Sequence, residues 1–162
     1  MDASSPRDKD QCVKGWMYSP DKPGSVNSTI MVEDFPATLT STEEFVRALW
    51  RSGRACLIMK KDLVSAYKHQ KVHEDDIKLQ VVNWGGRYFI ELALMFGTRS
   101  SPGIFSDLFH LFVVCIINLV EMDKCQVLQH LDDVLAIGIA GKDSPVHRFH
   151  STFLEEAKYT GF

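Results

Sequence analysis

Apolar residues recur along the chain with two different periods, and these periods predict its secondary structure. From Ser41 to Arg51 they recur every three or four positions, which is typical of one buried helix face. Ser41 followed by Glu44 has the sequence pattern of a capping box, and Gly53 marks the end of the helix. Two further helices are predicted at 102–119 and 145–159, and the first of these is apolar on most of its surface.

Strands are predicted where apolar residues form short runs. Residues 55–63 form one such run. The two arms around Gly85-Gly86 predict an antiparallel hairpin, because paired glycines accept the positive φ angles of a two-residue turn. A second hairpin is predicted over 127–139, with Asp132-Asp133 at its tip. The order of elements is typical of an α+β fold in which an antiparallel sheet is backed by helices.

Residues 1–28 differ in composition from the rest of the chain. They are polar and rich in proline, glycine, aspartate and lysine, with Pro20, Pro23 and Gly24 as breakers. Such a segment buries too little apolar surface to offset the entropy lost on ordering. We therefore predict a flexible or extended leader at 1–28 and a folded domain at 29–162, which is long enough to bury its own core.

Composition and charge narrow the classes of function. The chain has 162 residues, 45% of them hydrophobic and 24% charged, as in an ordinary globular protein. Its formal net charge of −3 disfavours tight binding of nucleic acid by the chain alone, since such binding depends on many phosphate contacts. The N-terminus lacks an apolar signal core, and the apolar run near 108–120 is expected to be too short to cross a bilayer.

The cysteines add an argument about compartment. Cys12, Cys56, Cys115 and Cys125 are spread along the chain, with no CxxC pair. This spacing argues against a zinc site and for reduced thiols. Together with the missing signal core, it predicts an intracellular protein, cytoplasmic or nuclear.

Three aspartates are the candidates for chemistry. Asp62 lies at the end of the predicted strand, and Asp132 and Asp133 lie at the tip of the second predicted hairpin. Carboxylates next to apolar strands are costly to desolvate unless a cation neutralises them, and Mg²⁺ prefers such hard oxygen ligands. Nucleotidyl transfer uses two such ions, roughly 3.5–4 Å apart. Taken alone, however, an Asp-Asp pair at a hairpin tip is ordinary turn chemistry.

Four segments in order resemble the motifs of reverse transcriptases, the RNA-directed DNA polymerases of retroelements. Lys61–Tyr67, with the letters KDLVSAY, resembles the first aspartate motif, whose core is D-[LI]-x-x-A-[YF]. Phe96–Phe105 resembles the P-F-G-L-x-S-A-P-x-x-F segment, and His130–Leu135 resembles the Y-[LMV]-D-D hairpin. Gly161-Phe162 falls where the family shows L-G-F. The R-S-S-P sequence at 99–102 follows the F-G pair, and a W-x-G-x-Y-like hairpin at 84–88 precedes it. This combination is most similar to DIRS-like retrotransposons.

The resemblance implies a polymerase palm that carries out nucleotidyl transfer with two Mg²⁺ or Mn²⁺ ions. It assigns Asp62 and Asp132 as direct metal ligands and Asp133 as a weaker or outer-shell ligand. The implied partners are an RNA or DNA template–primer and a deoxynucleoside triphosphate. Lys60 and Lys61 are either close to the triphosphate or ordinary solvated lysines at a strand end.

The resemblance also implies a set of nucleotide-binding residues. Leu63 and Tyr67 follow the first aspartate, and the Tyr67 ring would lie under the incoming sugar and exclude a 2′-hydroxyl. Phe96 and Gly97 would form the floor of the pocket, with Gly97 allowing close backbone approach. Arg99 would meet a phosphate or the template backbone, or else be an exposed structural arginine.

The chain also departs from the family pattern. Met95 stands where the family has proline, and His130 stands where it has tyrosine. The sequence ends where the primer-grip hairpin and thumb of the family would follow, and the fingers upstream of Asp62 are shortened. We therefore expect a palm-like fold with truncated fingers and no thumb.

Three hypotheses for the function follow. The first is a reverse transcriptase domain, incomplete as an isolated chain. The second is a catalytically inactive remnant of a retroelement that acts as a structural or interaction domain. The third is an unrelated α/β protein with an acidic pocket, such as a two-metal phosphatase or a receiver-like domain. The hairpin at Gly85-Gly86 disfavours the third, because those folds are built on parallel sheets.

Overall fold

The computed structural model describes residues 13–14, 23–37, 39–120 and 125–162. Ten helices and strands follow one another within these described residues. They are β1 (Val13–Lys14), α1 (Val26–Thr29), α2 (Thr42–Ser52), β2 (Cys56–Asp62), β3 (Val81–Trp84), β4 (Arg87–Ile90), α3 (Ser101–Val120), β5 (Cys125–His130), β6 (Asp133–Ile139) and α4 (Pro145–Thr160). Short 3₁₀ helices occur at Val32–Asp34, Ala66–His69 and Ile77–Leu79. The strand pairs among the described residues are all antiparallel, which confirms the predicted α+β class.

The chain divides into two compact units. Unit one contains residues 1–35 and 67–101, and unit two contains residues 36–66 and 102–162. Each unit has its own three-stranded sheet, so the strands form two sheets and not one.

The sheet of unit one has the order β1-β3-β4. Gly85 and Gly86 connect β3 to β4 with φ angles of 56° and 78°. Positive φ at both central residues is the geometry of a two-residue hairpin turn, so the first predicted hairpin is confirmed.

The sheet of unit two has the order β2-β6-β5, with β6 in the centre. Helices α3 and α4 pack against each other through a cluster of aromatic rings. The Phe109 and Phe153 rings meet edge to face at 6.4 Å, and Phe112 and Phe153 do so at 5.4 Å. Phe109 is fully buried. Aromatic burial of this kind supplies much of the energy of a small core.

The helix ends in unit two follow the predicted signals. The Ser41 side chain accepts a hydrogen bond from the Glu44 backbone N–H at 3.2 Å, and the Glu44 carboxylate accepts one from the Ser41 N–H at 2.7 Å. This is the predicted capping box, and Gly53 ends α2 with a φ of 76°. Helix α4 begins at Pro145 and ends at Gly161 in the left-handed conformation.

Part of the predicted leader forms structure. Most of residues 1–28 lie outside the described residues, and the boundary at residue 28 stays a prediction. Ser25 nevertheless caps α1 by accepting a hydrogen bond from the Ser28 N–H at 3.1 Å. Ser25 and Asn27 are both buried.

Helix α3 corrects one expectation about length. It has 20 residues, and an 18-residue window within it has a mean hydropathy of 2.1, so it is long and apolar enough to cross a membrane by length and composition. The expectation that this run is too short was therefore wrong. In the structure 44% of the most apolar window is buried, and Phe105, Phe109 and Ile116 are fully buried. A buried core helix of a folded domain can have the same length and apolar composition.

Candidate active site

The pairing of β2 with β6 brings two of the predicted aspartates together. Asp62 lies directly opposite Asp133, and the Leu63 N–H donates to the Asp132 carbonyl at 3.3 Å. Residues that face each other in an antiparallel pair project their side chains to the same face of the sheet. The prediction that Asp62 lies beside the second hairpin is therefore confirmed.

The carboxylates of Asp62 and Asp133 lie on the face of the sheet that is opposite helix α4. Gly138 lies on the α4 face, because a Cβ placed there would approach the Val146 side chain to 3.0 Å. Asp133 is five residues before Gly138 on the same strand, and side chains alternate between the two faces. Asp133 and its partner Asp62 therefore project away from α4.

The tip of the hairpin has an unusual backbone. Leu131 has a φ of 55°, in the left-handed region that β-carbon atoms disfavour. The buried Gln129 side chain holds this turn by donating from Nε2 to the carbonyls of Leu131 and Ser106, each at 3.3 Å. A hydrogen bond of 3.2 Å links its Oε1 to His110 Nδ1. Helix α3 thus fixes the turn that presents Asp132.

His130, which departs from the family pattern, is held by the segment before α2. Its Nδ1 lies 2.9 Å from the Thr40 carbonyl oxygen. The Thr40 N–H and hydroxyl both donate to the Gln129 carbonyl, at 2.9 and 2.6 Å. No role at the site was predicted from the sequence for Gln129 or Thr40. For Gln129, the available signal was its position directly before the H-x-D-D segment.

Lys60 brings a cation to the carboxylates. Its Nζ lies 2.8 Å from Asp133 Oδ2. The hydrogen bond to Asp133 is the main cause of a raised pKa of Lys60, to which the charges of Asp133, Asp62 and Asp132 add, whereas burial lowers it. Asp133 Oδ1 is buried and has no hydrogen-bond partner among the described residues. All three carboxylates therefore act electrostatically on one ammonium group.

The donor atoms fit a hard divalent cation that takes its remaining ligands from elsewhere. Mg²⁺ commonly uses one or two carboxylates and completes its octahedron with water and substrate phosphates. Asp62 and Asp132 could supply those carboxylates, because Asp133 is engaged by Lys60. In the described part of the chain, no three His, Cys, Asp or Glu side chains form a group that could hold a metal by itself.

The predicted nucleotide-binding residues divide between the units. Leu63 lies in unit two, at the end of β2, and the other four lie in unit one. In unit one the Tyr67 and Phe96 rings pack at 4.6 Å between centroids, with an angle of 49° between their planes. Tyr67 is 5% exposed and Phe96 is 59% exposed, so Phe96 offers the accessible ring.

A buried asparagine fixes the loop that contains Gly97 and Arg99. The Asn27 side chain donates from Nδ2 to the Gly97 carbonyl at 2.7 Å and accepts from the Arg99 N–H at 2.9 Å. Gly97 has a φ of 94°, which favours glycine. No role was predicted for Asn27 from the sequence, because it falls in the predicted leader. Ser25 followed three residues later by Ser28 was the available sign of a capped helix.

Phe96 also lines an open cavity of about 510 Å³ within unit one. Its lining is mostly apolar and includes Trp84, Phe89 and Met95. An ion pair between Lys68 and Glu91 lies at the cavity, and the hydrogen bond from Lys68 lowers the pKa of Glu91. An aromatic surface with one charged pair can accept a flat ligand such as a nucleobase.

Comparison with known proteins identifies the fold. No protein-family model and no curated protein matches the chain. Two solved structures of prototype foamy virus protease–reverse transcriptase are similar to it. The selenomethionine-labelled CSH mutant has a TM-score of 0.54 at 19% identity, and the native protein has a TM-score of 0.50 at 18% identity. In both cases the match covers 85% of this chain and 16% of the viral chain, so this chain spans a small part of the viral protein's length. The similarity shows a reverse-transcriptase-like fold, consistent with the predicted palm.

Proposed function

We propose that the chain is a reverse transcriptase domain of retroelement origin, acting in RNA-directed DNA synthesis. The pairing of Asp62 with Asp133 at one end of an antiparallel sheet, in a reverse-transcriptase-like fold, carries this proposal. The residues of the R-S-S-P and W-x-G-x-Y-like motifs further favour a DIRS-like retrotransposon as the source. The similar viral protein is named as a reverse transcriptase, so we propose a template–primer and a deoxynucleoside triphosphate as partners.

In this proposal Asp62 and Asp132 hold two Mg²⁺ or Mn²⁺ ions. When bound, such ions lower the pKa of the attacking 3′-hydroxyl and stabilise the leaving pyrophosphate. The chain contributes the fixed positions of the carboxylates. Asp62 is set by the ladder between β2 and β6, and Asp132 by the turn that Gln129 supports. Asp133 stays outside the direct ligand set, on Lys60.

The nucleotide would be bound by Leu63, Tyr67, Phe96, Gly97 and Arg99. We propose that the packed rings of Tyr67 and Phe96 leave no room for a 2′-hydroxyl and so select deoxynucleotides by steric exclusion. The Gly97 backbone would approach the substrate closely, in the conformation that Asn27 holds. Arg99 would place its charge near a phosphate.

The test is binding of Mn²⁺ to the full chain, measured by calorimetry. We expect Asp132→Asn and Asp62→Asn each to weaken binding by at least about ten-fold, because each removes a charged ligand. Asp107→Asn removes an exposed carboxylate from α3 and serves as the matched control. Equal binding by wild type and Asp132→Asn would refute the metal site.

A second candidate is a retroelement-derived domain that folds but does not polymerise. The ion pair of Lys60 with Asp133 favours it, because the chain partly neutralises its own carboxylates. Primer extension on an RNA template by the full chain separates the two candidates. DNA synthesis that is lost in Asp132→Asn rejects the second candidate, whereas metal binding without synthesis supports it.

A further inference from the structure

Lys60 occupies a particular place on strand β2. Side chains alternate along a strand, so Lys60 and Asp62 project to the same face, whereas Lys61 projects to the α4 face opposite Val134. Lys60 faces Leu135, and Asp133 is two residues from Leu135 on β6, so Lys60 and Asp133 are diagonal neighbours on the carboxylate face. The 2.8 Å contact between Nζ and Oδ2 joins them.

The two oxygens of Asp133 have different surroundings. Oδ2 is bound by Lys60, and Oδ1 is buried without a hydrogen-bond partner among the described residues. Neither oxygen is therefore presented to an ion in this conformation. Asp62 and Asp132 form no ion pair within the described part of the chain.

We propose that Lys60 is the resident counter-ion of this carboxylate group, a positioning residue that keeps Asp133 out of the metal ligand set. Three carboxylates at one sheet end repel one another, and the ammonium group offsets this repulsion in the metal-free protein. The inference rests on the proposed function, because it takes Asp62 and Asp132 as the metal ligands.

The charges determine how metal affinity should change. Lys60→Met removes a cation beside the site and should lower the Kd of Mn²⁺ about five-fold at low salt. Asp133→Asn removes an anion and should raise the Kd by a similar factor. The double variant removes a neutral pair and should return to within about two-fold of wild type. If Asp133 were instead a direct ligand, Asp133→Asn would raise the Kd by well over about ten-fold, and the double variant would remain clearly weaker than wild type.

Two controls separate charge and position from general disturbance. Lys61→Met makes the same charge change one residue away but on the α4 face, and should alter the Kd less than about two-fold. Lys60→Arg keeps the cation and should stay close to wild type. The proposal would be overturned if the Kd for Lys60→Met did not differ from that for Lys61→Met. It would also be overturned if the double variant remained clearly weaker than wild type.

A metal-free measurement distinguishes failure of this inference from failure of the proposed function. In EDTA at low salt, the thermal midpoints of wild type, Lys60→Met, Asp133→Asn and the double variant form a double-mutant cycle. We expect the two changes to be coupled, with the coupling reduced at about 0.5 M salt, where charges are more strongly screened. If the changes in thermal midpoint are additive, Lys60 and Asp133 do not interact and the proposal is wrong. Metal binding that is unchanged in Asp132→Asn, with the coupling present, would instead refute only the metal site.

Discussion

The hairpin tip of unit two and the loop around Gly97 in unit one are both held by a buried amide side chain, but they differ in what else supports them. The tip at Leu131 is closed by β5 and β6, whose registered pairs extend to His130 and Asp133. The loop at Gly97 lies beyond the last strand of its sheet and depends on Asn27, about 70 residues earlier. A ladder of backbone bonds spreads a local loss over many bonds, whereas the loop has only short-range turn bonds, such as Thr98 N–H to the Met95 carbonyl, beside those of Asn27.

The largest effect of a substitution is expected in the loop around Gly97, where fewer bonds can compensate for a loss. Asn27→Ala leaves the Gly97 carbonyl and the Arg99 N–H without their buried partner, at a cost of about 2–4 kcal/mol for two such bonds. We expect faster hydrogen exchange at the amides of 97–101, with little change in β5 and β6. Thr29→Ala, which removes an exposed hydroxyl bonded to Val26, is the matched control. Equal protection in wild type and Asn27→Ala would show that the loop is held by other contacts.

A smaller effect is expected at the hairpin tip. Gln129→Leu keeps a side chain of similar size but loses the bonds to Leu131, Ser106 and His110, at a cost of about 1–3 kcal/mol in a urea unfolding experiment. The ladder should survive, so circular dichroism should stay close to wild type. If the site binds metal as proposed, the Kd for Mn²⁺ should rise, because Asp132 is no longer held. Gln126→Leu, an amide farther from the tip, should leave that Kd unchanged. A larger loss of stability than in Asn27→Ala would reverse the comparison.

The smallest effect concerns the α4 face of the sheet. Burial is the main cause of a lowered pKa of His150, and the charges of Lys61 and His147 lower it further. The unfolded chain therefore takes up a proton first as the pH falls, so this contribution to stability is present above about pH 6.5 and is lost as the pH drops towards the folded pKa. His150→Gln should flatten the fall in stability between about pH 6.5 and 5. The exposed His147 provides the control substitution, and an unchanged slope in His150→Gln would contradict the prediction.

Local patterns were enough for most elements of secondary structure. The capping box at Ser41, the glycine pair at 85–86 and the proline and glycine at the ends of α4 act within one or two turns of the chain. The sequence alone therefore predicted α2, the first hairpin and α4 close to their observed limits. It also predicted the hairpin that carries Asp132 and Asp133, because apolar arms on both sides leave the aspartates at the turn.

What the sequence could not determine was which distant groups meet. The position of Asp62 opposite Asp133 is a matter of register, and a slip of one residue would turn its side chain to the other face. Asn27 forms hydrogen bonds with a loop 70 residues away, and Lys60 forms an ion pair with Asp133 on the neighbouring strand. Neither contact has a local sequence signal. The local sequence determines which residues carry charge and which segments form turns. Their partners are decided by the tertiary structure, since an ion pair or a buried hydrogen bond depends on separations of about 3 Å that only the packed chain sets.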